Sequence, residues 1–481
     1  MKPSLFIQPI KKTFYSLAIL ILLLLVVIFL SILSLDYRKP QGLLPVNNTD
    51  ALVINNVNIV MVKKRQILNN KQIVIKNGLI SAINNSNTPV ANNIRTVNGN
   101  NGYVTPGLFD MHVHIHDRKY LTLNLAYGVT SVRNLNGKNM HLRWKNELKN
   151  EEWLGSNLHT SSPILAGQGT HALNQEVLTE QKGREEVNKA KENGYDFIKI
   201  YGYHKPKIFE AIIDQAQKIN MPVAKHGPHP AKDSDWNYLK GLQSLEHVED
   251  IFQGPLNYQY DNQMLHVIVK KIRQTNVPVV PTLETFNHLT QLSNGKHKFI
   301  NNLTLDYLNP LYFDIESHYT VSRWLNDNKQ QSNYHLQKQK FLSEIVKVLH
   351  EHKVKLLVGS DAGTMYTLPG ISTHNEMQLL QQSGLSNYDV LKAATINAAQ
   401  ALTIEDDYGS VEVGKIADLV IASQNPFIDL QTMRDPFAVV KDGQWLDKVQ
   451  LEKLREEAKN TEGYYWSVIN LLEDLLIRFF L

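Results

Sequence analysis

The sequence predicts an α/β chain built on a (β/α)8 barrel of TIM type, and three observations predict it. Six polar residues, His112, His114, Lys199, His226, His247 and Asp361, each close or interrupt a short apolar run. Helix-like stretches such as 206–220 and 388–402 alternate with those runs, the rhythm of a parallel sheet. About 249 residues separate His112 from Asp361, roughly 36 per unit over seven strand-to-strand steps, a spacing that suits eight units.

The elements follow in order. Residues 1–13 carry Lys2, Lys11 and Lys12 ahead of an uncharged apolar segment at 14–35, whose 22 residues are enough to span a bilayer core as a helix. No small-residue cleavage site follows in Leu35-Asp36-Tyr37-Arg38-Lys39, so an uncleaved single-pass anchor is expected. Three lysines before it against two basic residues after it place the N-terminus inside and the rest of the chain outside the cytoplasm, in the periplasm. A linker at 36–50 leads to β-rich runs at 51–106, with Asn77-Gly78 as a hairpin turn. Segments within 405–445, including Ala417-Asp418-Leu419-Val420-Ile421-Ala422 and Phe437-Ala438-Val439-Val440-Lys441 with Asp442-Gly443 as the turn, are expected to pair with them in a small β-sandwich domain. The barrel occupies 107–404. Within it, 286–332 follows the seventh strand, Val277-Pro278-Val279-Val280-Pro281-Thr282, and is expected to be helical and to form a lid. A C-terminal extension at 446–481 ends in an aromatic-rich amphipathic helix suited either to a lipid interface or to docking on the barrel.

The candidate site residues share one logic. In Leu108-Phe109-Asp110-Met111-His112-Val113-His114, a strand's period of two sends both imidazoles to one face and Met111 and Val113 to the other. Lys199 lies in Phe197-Ile198-Lys199-Ile200-Tyr201, opposite both isoleucines, and His226 closes Pro222-Val223-Ala224-Lys225-His226. His247 follows Ser244-Leu245-Glu246, and Asp361 ends Lys355-Leu356-Leu357-Val358-Gly359-Ser360. All are at the C-terminal ends of strands, where barrel enzymes build active sites. With 18 histidines in the chain, no one of them is informative alone; the linear order of six is, and it reads as a metal-dependent hydrolase.

Two stretches are more specific: Thr105-Pro106-Gly107-Leu108-Phe109-Asp110-Met111-His112-Val113-His114, and Ala393-Ala394-Thr395-Ile396-Asn397-Ala398-Ala399 followed by Gly409-Ser410-Val411-Glu412-Val413-Gly414-Lys415-Ile416-Ala417-Asp418-Leu419-Val420. With them the chain resembles the amidohydrolase superfamily, in its branch of Xaa-Pro dipeptidases (prolidases) and imidazolonepropionase-like proteins, from about 51 to 440. The resemblance implies two divalent ions, with zinc expected among the metals that imidazole and carboxylate accept. It implies His112, His114 and Asp361 on the first, His226 and His247 on the second, and Lys199 bridging both as a carboxylated lysine. Carbamylation would turn a repelled cation into an anionic bridge. A hydroxide held between the ions would attack an amide carbonyl, with Asp361 as general acid/base.

The pattern departs from relatives at Gly227-Pro228-His229-Pro230, where another histidine often stands two places after the ligand. His171, in Gly167-Gln168-Gly169-Thr170-His171, and Tyr201 are candidate substrate contacts, on a barrel loop and beside Lys199. His116 lies past the first strand's end and His374 at a helix start; both are read as non-ligands. The expected activity is hydrolysis of a small amide, foremost a dipeptide of Xaa-Pro type. Two rivals stay open: a one-metal cyclic-amide hydrolase or deaminase of imidazolonepropionase type, and a non-catalytic membrane-tethered binding protein. Expected partners are the small substrate, membrane lipid through the N-terminal helix and through the C-terminal one if it lies at the interface, and a second copy in a homo-oligomer. A net charge of +4 on 481 residues, without basic runs interleaved with aromatics, argues against nucleic acid. Zero cysteines exclude disulfides.

Overall fold

In the computed structural model, which describes residues 7–35, 38, 42, 44–45, 51–169, 174–202, 204–228 and 236–480, with side chains of 7–17 and 478–480 left out, short-range sequence signals set the flanking sheet. Its strands are β1 (Leu52–Met61), β2 (Gln66–Lys76), β3 (Leu79–Asn85) and β4 (Arg95–Pro106). The barrel region supplies β5 (Leu108–Val113), β6 (Val129–Asn134), β7 (Asn157–Thr160), β8 (Leu165–Ala166), β9 (Gln175–Glu176), β10 (Ile198–Tyr201), β11 (Val223–His226), β12 (Ser244–Glu246) and β13 (Val279–Val280). The chain then adds β14 (Leu419–Ala422), β15 (Ala438–Lys441) and β16 (Gln444–Asp447).

Asn77 and Gly78 join β2 to β3 with φ of 50° and 77°, and Asp442 and Gly443 join β15 to β16 with φ of 50° and 83°. These left-handed pairs match strand twist, which is why Asn-Gly and Asp-Gly favour hairpins. The two turns meet: a Cβ on Gly443 would lie 2.8 Å from the Gly78 Cα. Strands from both ends of the chain share a single seven-stranded sheet, in the order β16-β15-β14-β4-β1-β2-β3, in place of the two packed sheets of a sandwich. It curls on itself because Ala417 N–H donates to Gly78 O at 2.8 Å, tying the β3 side back to β14, and the enclosed face is filled by Ile54, Ile59, Ile73, Ile80, Leu419 and Val440.

The barrel ring closes through eight parallel segments. β5 pairs β6 and β6 pairs β7; Ser161 then bridges Phe197 at the start of β10, and β10 through β13 pair in sequence. Val279 bridges Leu356 and Ala362 bridges Val113, so 356–362 forms the last stave and returns to the first. Every residue of β5 and β6 is buried, as parallel strands covered on both faces require.

The stretch after β13 is helical, in Leu283–Ile300, Pro310–Glu316, Ser322–Leu325 and Lys329–Glu351. The helix expected over 388–402 is two helices, Asn387–Ala393 and Ile396–Ala401. Thr395 breaks it with φ −136° and ψ −97° as its hydroxyl turns back to Leu391 O at 2.6 Å.

The C-terminal helix Gly463–Phe480 docks on the barrel: Arg143 donates to Glu473 at 2.9 Å and to Asn470 at 2.8 Å, and Asn309 reaches Ser467 at 2.8 Å, all buried. Its opposite face leaves Tyr464, Tyr465, Val468 and Leu476 exposed. Apolar residues of the N-terminal helix Ile7–Ser34 are exposed from Ile19 to Leu33, and its Ser31 Oγ lies 2.5 Å from Tyr465 Oη. Among the described residues no helix is long and apolar enough to cross a membrane; the described side chains begin only at 18, inside the segment 14–35.

Candidate metal centre

The site is assembled where staves end. His112 lies on β5 and His114 one residue past it on the same face, and Asp361 lies near the end of the last stave, its N–H donating to His112 O at 2.7 Å. Asp361, His247 and Thr282 all take left-handed backbones, with φ of 58°, 64° and 53°. Such conformations cost non-glycine residues free energy and persist where surroundings hold them. Gly363, with φ +99°, has to be glycine: a Cβ there would lie 1.9 Å from His114 O.

Hydrogen bonds on the far side of two rings decide their tautomers: His112 Nδ1 donates to Glu246 Oε2 and His226 Nδ1 to Asp250 Oδ2, each at 2.7 Å. Their Nε2 atoms therefore carry a lone pair, the form that ligates a metal. His247 Nδ1 is hydrogen-bonded to the Thr282 hydroxyl at 2.7 Å, a group that both donates and accepts. The rings converge, with centroids 4.6 Å apart for His112 and His247 and 4.2 Å for His247 and His226. Asp361 Oδ1 lies 3.5 Å from His112 Nε2 and 3.1 Å from His114 Nε2. With the Nδ1 proton of His112 committed to Glu246, Oδ1 and Nε2 face each other as two acceptors. A cation reconciles that arrangement, and the ligand atoms of His112, His114 and Asp361 all lie within 4.8 Å of one another.

Lys199 is buried and its Nζ has no hydrogen-bond partner among the described residues. Burial pushes its ammonium down to about 8, against the attraction of Glu246 and Asp361. Beneath it, Arg133 donates to Glu246 Oε1 at 2.7 Å, to Ser244 Oγ at 2.8 Å and to Met111 O at 2.7 Å, with both charged side chains fully buried. Burial alone would raise the Glu246 carboxyl; Arg133 and Lys199 outweigh it and hold the group below its ordinary value.

This donor set of imidazoles and carboxylates at strand ends coincides with a match to the family model described as Amidohydrolase family, over residues 103–452. The chain belongs to the amidohydrolase family. Local stretches resemble imidazolonepropionases, at 36% identity over 80 residues with that of Pseudomonas fluorescens (strain Pf0-1) and 50% over 58 residues with that of Symbiobacterium thermophilum. These cover 16% and 12% of this chain, and only 19% and 13% of the relatives' own lengths. Among solved structures, a bottromycin amidohydrolase superposes with a TM-score of 0.71 at 22% identity, covering 88% of this chain and 96% of that one. A Xaa-Pro dipeptidase with bound methionine gives 0.63 at 18%, covering 83% and 100%. A prolidase described from Bifidobacterium longum gives 0.63 at 21%, covering 85% and 99%. At these identities the superpositions establish the shared amidohydrolase fold.

The remaining candidates of this amidohydrolase fall as follows. Tyr201 is 44% exposed, with its ring 4.3 Å from that of His226. His171 lies outside the described residues. His116 stacks on Tyr312 at 3.9 Å, and His374 Nε2 donates to Tyr127 O at 2.8 Å, a contact that anchors its helix. Sequence reasoning missed Glu246, Asp250 and Thr282, which hold the candidate ligand rings, and Arg133, which holds Glu246. Two weak signals exist for them: an arginine inside the apolar run Val129-Thr130-Ser131-Val132-Arg133, and a glutamate in inward register with Ser244 on β12.

Elsewhere in this amidohydrolase, His141 accepts Lys138 N–H on Nδ1 at 2.9 Å and donates Nε2–H to Ile115 O at 2.7 Å, a buried neutral ring whose pKa burial lowers to about 3. The unfolded ring titrates near ~6.5. The folded state thus binds fewer protons in the window between, so the ring's stabilising contribution is full above ~6.5 and shrinks as pH falls toward the folded value. Buried Asp110 and Glu284, raised to about 6 and about 7, work in the opposite direction and blur the total curve. The difference between wild type and His141→Gln isolates the histidine. It is expected to narrow by about 1.4 kcal/mol per pH unit below ~6.5, measured by urea unfolding at pH 7.5 and 5.

Proposed function

We propose that this protein is a metal-dependent amidohydrolase that cleaves a carbon–nitrogen bond of a small amide, a dipeptide of Xaa-Pro type being the favoured substrate. The observation that carries the reading is the Asp361 carboxylate turned onto two imidazole Nε2 atoms at 3.1 and 3.5 Å. In this reading His112, His114 and Asp361 would hold one divalent ion, His226 and His247 a second, and Lys199, buried with no hydrogen-bond partner among the described residues, would bridge them once carboxylated. Bound divalent ions there would polarise the amide carbonyl and acidify water. Asp361 takes a proton at its carboxylate and delivers it to the departing nitrogen. Glu246 and Asp250 keep the His112 and His226 rings in the ligating tautomer, and Thr282 orients the His247 ring. Tyr201 and His171 are the substrate contacts in this reading.

The apolar helix at 14–35 serves as a single-pass anchor that leaves the enzyme domain in the periplasm, and the exposed aromatic face of Gly463–Phe480 rests at the lipid interface. Length and apolar composition support that part of the reading.

A one-metal reading, on a cyclic amide, draws on two observations: His112, His114 and Asp361 form a three-ligand group by themselves, and local stretches resemble imidazolonepropionases. Metal counting on the purified protein separates the two. About two ions per chain, with loss of one or both in Lys199→Ala, together with metal-stimulated release of proline from Xaa-Pro dipeptides, is the expected result. One ion, untouched by that substitution, with lactam opening and inert dipeptides, would replace it. No hydrolysis of any amide or ester with any added divalent metal leaves only a binding role.

A further inference from the structure

The short helix Pro310–Glu316 makes contacts that the proposed chemistry does not use. Tyr312 and Glu316, one turn apart, share its inner face. The Tyr312 ring stacks on His116, two residues past His114, at 3.9 Å and 13°. Glu316 Oε2 accepts the N–H of Met365, four residues past Asp361, at 3.0 Å. One helical face therefore spans the two chain segments that follow the first ion's ligands, and Glu316 brings a second carboxylate into electrostatic range of Asp361 and the His114 ring.

Glu316 is half-buried, and its remaining hydrogen bond is to the Thr320 side chain. No lysine or arginine among the described residues forms an ion pair with it; nearby Lys138 is engaged with Tyr312 Oη at 3.2 Å. A partly desolvated carboxylate next to another is unfavourable until a cation joins it. The proposed donor set of Asp361, the imidazoles and Lys199 does not include it, so the charge is left for a ligand.

We propose that Glu316 binds a substrate ammonium, so that the preferred substrate is an amide with a free α-amine on its acyl side. This rests on the amide-hydrolase reading above. A dipeptide has one backbone cation, one carbon from the scissile carbonyl, and one anion, its carboxylate, which Glu316 repels; the same residue thus sets which end enters first.

The test uses the full chain loaded with zinc or manganese. Wild type is expected to favour Ala-Pro over N-acetyl-Ala-Pro by about 10-fold to 100-fold in kcat/KM, mostly through KM, the range of a charge-assisted hydrogen bond. In Glu316→Gln that ratio is expected to fall toward one while metal content stays at the wild-type value. An undiminished ratio overturns the proposal, as does loss of bound metal, which would make Glu316 part of the ion's own surroundings. Calorimetric binding of alaninamide and N-acetylalaninamide to wild type needs neither a folded variant nor turnover. Alaninamide is expected to bind at least about 10-fold more tightly at pH 7, and equal binding overturns the ammonium site. Absence of hydrolysis alongside selective alaninamide binding would instead sink the parent activity while leaving the ammonium site standing.

Discussion

Asp361→Asn is expected to lower kcat/KM by about 10⁴-fold, the upper end of what a positioned acid/base supplies, because it removes that role and weakens the first ion's site together. Asparagine is the informative replacement. Asp361 sits at φ +58°, a conformation asparagine tolerates well, so backbone strain stays constant and only charge and basicity change. Alanine would confound chemistry with strain. Steady-state kinetics and elemental analysis on the same preparation check the result: unchanged circular dichroism, less bound metal and near-complete loss of turnover are expected. Retention of more than a tenth of the activity would remove Asp361 from both roles.

Arg133→Met is expected to destabilise the fold by about 3–5 kcal/mol, the cost of leaving a buried charge without its partner. The stranded charge is Glu246, fully buried and paired with Arg133 at 2.7 Å. The guanidinium also ties β6 to β5 through Met111 O and to β12 through Ser244, so its loss loosens three staves. Double replacement, Arg133→Met with Glu246→Leu, is expected to recover most of the stability, since an apolar pair of similar volume removes the desolvation cost. It is not expected to recover metal affinity, because His112 loses the acceptor that fixes its tautomer; a deficit of about 10-fold to 100-fold should persist. Urea unfolding and metal titration of wild type and the two variants read the two effects separately. Wild-type metal affinity in the double variant would show that the buried pair serves stability alone.

Much of this architecture can be read from short range. A strand's two-residue period puts His112 and His114 on one face whatever surrounds them, and Asn77-Gly78 and Asp442-Gly443 turn tightly because those residues accept left-handed backbones. Both are decided within a few residues. The break at Thr395 was not legible, since a hydroxyl returning to Leu391 O competes with a helix whose apolar spacing is otherwise regular.

The sequence by itself determined the βα rhythm, the position of the six candidate residues at strand ends and the apolar helix at the N-terminus, because local periodicity and composition encode them. Tertiary structure alone decided what makes those residues a site. Arg133 and Glu246 stand 113 positions apart, Glu316 and Met365 49 apart, and His247 and Thr282 35 apart. Ring closure brings each pair together. A buried charge or a ring tautomer takes its meaning from the partner opposite, and which partner that is depends on how the staves close, not on either residue's neighbours in the chain.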